Sequence, residues 1–186
     1  RLEDQTIIVP VEVSGQADPY EASFLADVMP ILSKAGCNAG GCHGSAKGKN
    51  GFKLSLRGYD PRFDHTSLTD DLAGRRFHPV PPDQSPFLLQ SSSSVPHQGG
   101  QVVALDSDRY EILRSWVSQG ARLDSDAARV TSLEVFPTNP TPLPGMSQQV
   151  AVLATYADGE RRDVTAEAFL ETGDIEITAV DDSGLV

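Results

Sequence analysis

The stretch from residue 44 to residue 106 is rich in glycine, proline, serine and aspartate, and it predicts little regular structure. Only residues 52–56, which alternate like a short strand, and residues 85–90, which suit one or two helical turns, stand out. An irregular segment of about 60 residues is unusual inside a compact domain. Aromatic residues are only 6% of the chain, so the core has to rest on aliphatic side chains or on a component outside the sequence. A segment that wraps around a large apolar cofactor satisfies both observations.

The chain has two cysteines, Cys37 and Cys42, and His43 directly follows the second one. Covalent attachment of haem needs two thiols and a histidine beside the second thiol that can reach the iron. Here four residues separate the cysteines, whereas the usual motif has two. The additional residues have to bulge outward, and Ala-Gly-Gly at residues 39–41 tolerates a bulge because glycine adopts positive φ. We therefore predict covalent haem (haem c) at Cys37 and Cys42, with His43 as the proximal iron ligand.

Three other interpretations of this motif stay open. A disulfide between the cysteines, with His43 uninvolved, would close a very short loop and stabilise the fold little. A zinc site would have to use the adjacent Cys42 and His43 on one tetrahedral centre, without a second cysteine pair in the chain. The two cysteines could also be reduced thiols without a role.

The sixth ligand of the iron is expected to be His97. It lies in a Pro/Gly loop, residues 95–100, shortly before the last predicted helix, where the methionine loop stands in small cytochromes c. His78 and an open coordination site are the alternatives. Met29 is expected in the core and His65 on the surface, while Met146 belongs to the second half of the chain. Ligation by two histidines predicts a low-potential carrier, since methionine raises the potential.

Two helices are predicted to flank this region. Residues 18–35 have a capping Asp18 and apolar side chains at helical spacing, although Pro30 interrupts the pattern. Residues 105–120 form the clearest helix, with Ser107 or Asp108 as its cap and Gly120 as its stop. Its predicted apolar stripe consists of Tyr110, Leu113, Trp116 and Val117.

The composition changes after about residue 126. Residues 132–136, 148–156 and 176–180 are predicted strands, separated by turn signals at residues 138–140, 144–145, 158–159 and 181–184. Such spacing suggests a β-sandwich, which usually needs about 100 residues. Residues 127–186 fall short of that, so we expect a sandwich that is truncated at its C-terminus. Residues 1–17 are predicted to be an extended arm.

The charge balance restricts the partners. With 15 basic and 26 acidic residues the net charge is −11, so nucleic acid is not expected to bind, and the acidic surface could steer a basic protein. No run approaches the roughly 20 apolar residues of a membrane span, and no signal peptide is visible. Because the sequence starts at Arg1, we expect a mature form or an excised piece.

Two stretches resemble known families. Residues 20–124 are similar to the cytochrome-c-like modules of planctomycete surface and periplasmic proteins. The residues that carry this resemblance are 29–32, 36–44, 48, 51, 52–60, 96–100 and 110–121. Residues 130–186 resemble the bacterial immunoglobulin-like domain of group 2, through residues 133–135, 137, 145, 156–159, 162–165 and 181–186.

The resemblance implies a mainly α cytochrome-c-like haem domain at 18–126, followed by an all-β immunoglobulin-like sandwich at 127–186. It implies haem bound covalently at Cys37 and Cys42, with His43 on the iron. The expected function is one-electron transfer in the periplasm or elsewhere outside the cytoplasm, with unidentified redox proteins as partners. Two alternatives are an adhesion module with a disulfide between the cysteines and an enzyme that uses five-coordinate haem.

Overall fold

Four α-helices lie in the part of the chain that the computed structural model describes, namely residues 10, 12–13, 17–71, 76–77, 81–139 and 143–186. In chain order they are α1 (Met29–Lys34), α2 (Pro61–Thr69), α3 (Pro86–Ser91) and α4 (Asp108–Ser118). A π-helical turn, Phe24–Val28, leads into α1, and two 3₁₀ turns, Leu56–Gly58 and Pro82–Gln84, precede α2 and α3. Helices this short owe their stability to packing rather than to propensity.

The first helical region begins at Phe24, later than the predicted start at residue 18. The side chain of Gln119 holds the preceding segment in a non-helical form, because it accepts a hydrogen bond from the amide of Ala22 (3.0 Å) and donates one to the carbonyl of Tyr20 (2.7 Å). Ser23 then caps the turn through its hydroxyl oxygen. Pro30 lies in the first turn of α1, where its missing N–H costs nothing, so it does not break the helix.

The helix α4 confirms the sequence pattern. Ser107 is its cap, accepting a hydrogen bond from the amide of Tyr110 at 3.2 Å, and Gly120 adopts φ +89° just beyond its end. All four side chains of the predicted stripe are buried, namely Tyr110, Leu113, Trp116 and Val117. The 3.6-residue period therefore placed the correct face of this helix against the core.

The stretch 44–106 holds more structure than predicted. The predicted helical turn at residues 85–90 is confirmed by α3, whereas α2 was missed and the expected strand at 52–56 is wrong, because Leu56 already starts a 3₁₀ turn. Leu54, Leu68 and Leu88 are at most 1% exposed, and they belong to the same core as Phe24 and Trp116. Side chains of this stretch therefore contribute to the core themselves.

A buried carboxylate fastens this stretch to α2. Asp64 has no exposed surface, and its oxygens accept hydrogen bonds from both the amide and the hydroxyl of Ser55. Burial raises the pKa of Asp64, while the two hydrogen bonds from Ser55 oppose that rise. The hydrogen bonds between Ser55 and Asp64 thereby tie the segment after Leu54 to α2.

The strands form one antiparallel sheet in the order β1 (Val130–Phe136), β2 (Ala151–Tyr156) and β3 (Arg161–Asp163). The register pairs Leu133 with Ala154 and Val135 with Val152. In β2 burial alternates, whereas every residue of β1 is exposed. The predicted turn at residues 158–159 is confirmed between β2 and β3, where Gly159 has φ +88°.

The predicted fold class is wrong. The described residues hold four short helices and one three-stranded sheet, which is neither clearly a mainly α cytochrome nor a full β-sandwich. Residues 176–180, predicted as a strand, form a turn and an irregular segment, and the short β3 was missed. A pattern of strands separated by turns is compatible with one sheet or two, since alternation reports only which side is buried. The predicted N-terminal arm lies mostly outside the described residues.

Three basic side chains join the helical region to the loops that follow the sheet. The ammonium group of Lys34 donates to the carbonyls of Ala168 (3.1 Å) and Asp182 (2.7 Å), and burial lowers its pKa. The guanidinium of Arg57 lies 5.1 Å from the ring centre of Phe169. Arg109 forms an ion pair with Asp182 at 3.5 Å. The end of α1, which leads to Cys37, is thereby anchored to the second half of the chain.

Candidate functional site

The segment between α1 and His43 is a closed loop. The amide of Cys37 donates to the carbonyl of Leu32 (2.9 Å), which continues the end of α1. The amide of His43 donates to the carbonyl of Cys37 (3.0 Å), so the four residues between the cysteines fold back on themselves. Backbone contacts thus bring the start and the end of the motif together.

Glycine has a different role in this loop than the sequence suggested. Gly40 and Gly41 are exposed, as an outward bulge requires, but neither has a positive φ. The position that demands glycine is Gly44, where a Cβ atom would lie 1.9 Å from the carbonyl oxygen of Asn38. Asn38 is 1% exposed, and its side-chain amide donates to the hydroxyl of Ser33 at 2.8 Å. A buried asparagine and a close backbone contact therefore define the loop.

Both cysteines are free thiols and half-buried. Burial, and secondarily the neighbouring Cys42, raise the pKa of Cys37 to about 11. Cys37 is consequently protonated at neutral pH, and it packs against the edge of the core. The two thiols thus lie on the same loop and are not joined to each other.

The ring of His43 is oriented by the carbonyl group of Phe52. Its Nδ1 lies 3.1 Å from that oxygen, and the two rings are 4.6 Å apart between centres. A carbonyl can only accept, so Nδ1 carries the proton and Nε2 keeps its lone pair. Burial lowers the pKa of His43, while the hydrogen bond to the Phe52 carbonyl opposes that shift. The neighbouring His97, Arg76 and Lys49 lower the pKa further. His43 is thus a neutral imidazole with one nitrogen ready to bind a metal.

A two-residue hairpin turn holds the Phe52 carbonyl in place. Asn50 and Gly51 have φ values of +49° and +72°, as a type I′ turn requires, and Lys49 and Phe52 exchange two hydrogen bonds of 2.8 Å. The Phe52 oxygen therefore accepts from the Lys49 amide and from His43. Sequence analysis missed this support, although the Asn-Gly pair is the signal that could have revealed it.

His97 has the same arrangement on its own loop. Its Nδ1 lies 2.9 Å from the carbonyl oxygen of Gly100, and the Gly100 amide donates back to the His97 carbonyl at 3.0 Å. By the same argument Nδ1 carries a proton, so Nε2 is the ring nitrogen that is not engaged by the Gly100 carbonyl. A Cβ on Gly99 would lie 2.8 Å from the His97 ring, so a larger residue there would require this ring to shift.

The structure brings His43 and His97 together although 53 residues separate them in the chain. Their ring centres are 6.4 Å apart, and the ring planes differ by 14°. Two imidazoles that bind one iron from opposite sides, with iron–nitrogen bonds of about 2 Å, have ring centres roughly 6–6.5 Å apart. The spacing of the two rings would suit a single iron held between His43 and His97.

The other candidate ligands lie elsewhere. Met29 is 6% exposed in the core, as predicted, and Met146 is 62% exposed. His65 is not the surface residue that was expected. Its Nε2 bonds to the Ala121 carbonyl at 2.7 Å, and its ring packs edge-on against Phe24. His78 lies outside the described residues.

Replacing Gly48 with alanine should displace the Phe52 carbonyl that orients the His43 ring. A Cβ at this position would lie 2.2 Å from the Phe52 oxygen, and φ is +65°. At Gly51, φ is +72° but the space is open, so Gly51→Ala should cost only the backbone strain of about 1–2 kcal/mol. We expect Gly48→Ala to lower the free energy of unfolding by about 1 kcal/mol more than Gly51→Ala does. Equal losses in chemical denaturation would show that the close contact with Phe52 is unimportant.

No helix among the described residues is long and apolar enough to cross a membrane. Within the same residues, no group of three or more His, Cys, Asp or Glu side chains is arranged to hold a metal ion. No family model matches this chain, and comparisons with curated proteins and with solved structures found no similar protein.

Proposed function

We propose that this chain is a one-electron-transfer module that carries one covalently bound haem. Cys37 and Cys42 would form the thioether bonds, while His43 and His97 would bind the iron. The resemblance of residues 20–124 to planctomycete cytochrome-c-like modules supports the same assignment. Thioether attachment in c-type cytochromes takes place outside the bacterial cytoplasm, so we place the protein in the periplasm or another extracytoplasmic location.

The observation that carries the proposal is the paired geometry of His43 and His97. Their ring centres are 6.4 Å apart with planes within 14° of parallel. Each Nδ1 is tied to a backbone carbonyl, of Phe52 and of Gly100 respectively. A hydrogen bond from the ring nitrogen that does not bind the metal fixes the tautomer and the orientation of a metal-binding histidine.

The residues of the chain also favour electron transfer over catalysis. A haem bound here would supply the one-electron oxidation and reduction of its iron. With His43 and His97 both binding the iron, the metal would have no open position for a substrate. Neither ring needs to move or to exchange a proton, because Nδ1 of each remains bonded to its carbonyl. Histidine in place of methionine also favours a low reduction potential.

The test is the His97→Ala variant, expressed with the machinery that attaches haem c. We expect the native protein to show the absorbance and electron paramagnetic resonance spectra of six-coordinate, low-spin haem. His97→Ala should become high-spin, and added imidazole should restore the low-spin spectrum. His65→Gln is the matched control, since His65 bonds to the Ala121 carbonyl, and its spectrum should remain native. A His97→Ala spectrum identical to the native one would exclude His97 as a ligand.

A further inference from the structure

The charges of the chain are unevenly distributed. Residues 28–59 contain five of the 15 basic residues and none of the 26 acidic ones. These five are Lys34, Lys47, Lys49, Lys53 and Arg57. The loop that carries Cys37, Cys42 and His43 is therefore positive in a protein whose net charge is −11. This segment therefore differs in charge from the acidic surface that was expected to attract a basic protein.

Four of the five basic residues are exposed, and we call three of them, Lys47, Lys49 and Lys53, the lysine patch. Among the described residues, neither Lys47 nor Lys49 forms an ion pair. Lys53 donates to the Ala46 carbonyl at 3.0 Å, and it has no ion pair within the described part of the chain. The other two basic residues, Lys34 and Arg57, are engaged with the second half of the chain.

The lysine patch lies on and beside the hairpin turn that orients the His43 ring. Lys49 begins the hairpin turn whose other end, Phe52, orients the His43 ring. Lys53 follows Phe52 directly, whereas Arg76, which stacks over the Phe52 ring at 4.8 Å, is compensated by its ion pair with Asp71. The uncompensated positive charge at this site thus comes from the lysines of the turn.

From this arrangement we infer that the lysine patch is the docking surface for an acidic redox protein, which exchanges electrons with the centre held by His43 and His97. The inference rests on the proposed function. An acidic patch of limited size can dock there in one orientation, because the rest of this acidic protein repels it. An extended polyanion such as nucleic acid would meet that repulsion along its length.

The first experiment uses hexacyanoferrate(III), a small anionic oxidant, with the reduced haem-bearing protein. One electron passes from the protein to the reagent, which becomes hexacyanoferrate(II). We expect the second-order rate to fall roughly tenfold between about 10 and 200 mM salt, because salt screens an attraction to the local positive charge. A rate that rises with salt would mean that the net charge of −11 governs the encounter, and it would overturn the inference.

Charge reversal then locates the docking surface. Lys47→Glu/Lys49→Glu should slow the reaction at low salt by about tenfold and reverse its salt dependence. Arg122→Glu/Arg129→Glu is the matched control, because it changes the net charge equally in the exposed segment after α4. This control should change the rate by less than about threefold. Equal effects of the two double variants would also overturn the inference.

A binding measurement separates this inference from the proposed function. A peptide of ten aspartates is titrated into the ¹⁵N-labelled protein at low salt, in the reduced state if haem is present. The amide signals of residues 45–53 should shift in the native protein and in the arginine control, but not in the lysine variant. Shifts elsewhere, or none, would overturn the lysine patch. A colourless protein whose 45–53 signals still shift would instead overturn the proposed function alone.

Discussion

Replacing both Cys37 and Cys42 with alanine should abolish covalent attachment of haem while leaving the protein folded. Both thiols are half-buried and unbonded to each other, so their loss should cost only about 1–2 kcal/mol of stability. The loop itself depends on other contacts, namely the amide of His43 to the Cys37 carbonyl and the buried Asn38. The native protein should gain the mass of one haem, and the double variant none.

The two single variants are the matched controls for this experiment. Cys37→Ala and Cys42→Ala each retain one thiol, so each should keep haem through a single thioether bond at reduced yield. Extraction with acidified acetone should remove the haem from the double variant and leave it on the native protein. Haem that stays attached to the double variant would contradict the assignment of these cysteines.

Replacing Trp116 with alanine is expected to give the largest loss of stability of any single substitution in the helical region. Trp116 is 1% exposed and lies within 5.2 to 6.2 Å of Phe24, Phe77 and Phe87, measured between ring centres. Its indole N–H donates to the carbonyl of Arg122 at 3.0 Å. Truncating a buried tryptophan costs about 3–5 kcal/mol, and a small domain has only 5–15 kcal/mol in total.

Chemical denaturation of Trp116→Ala measures this loss, with Tyr59→Ala as the control. Tyr59 is 91% exposed, so its replacement should change the free energy of unfolding by less than about 0.5 kcal/mol. If Trp116→Ala does not fold, Trp116→Phe should still show a loss of about 1–3 kcal/mol. A loss no larger than that of Tyr59→Ala would show that Trp116 is not the centre of the core.

Local signals in the sequence predicted the helices well where capping and periodicity agreed. In α4 the cap Ser107, the buried stripe and the stop at Gly120 were all evident. Asp60 and Pro61 at the start of α2 form an equally clear start signal, since Asp60 accepts a hydrogen bond from the amide of Phe63 at 3.0 Å. That helix was missed because the surrounding glycines and prolines suggested an irregular segment.

The arrangement of the strands was harder to predict. The turn at residues 158–159 and the strands β1 and β2 follow from local patterns. The number of sheets depends on contacts between distant segments, which alternation does not report. Residues 176–180 show the limit: they alternate like a strand, yet they form part of a loop in which the amides of Ile177 and Thr178 both bond to the Asp174 carbonyl.

The candidate site was predictable in its residues but not in its geometry. The Cys42–His43 pair and the Pro/Gly loop around His97 singled out the two histidines. Their approach to 6.4 Å depends on long-range packing, and the role of Phe52 depends on a turn that was overlooked. The sequence shows lysines close to His43 along the chain. Only the turn at residues 49–52 shows that they lie beside its ring.

The most direct test of this account is a mass spectrum of the protein expressed with c-type maturation machinery, combined with its reduced-minus-oxidised absorbance spectrum. The account predicts a mass gain of one haem on the peptide that contains Cys37 and Cys42, together with the spectrum of a low-spin haem with two histidine ligands. A colourless protein of unmodified mass, produced beside a c-type cytochrome that matures normally in the same cells, would contradict it.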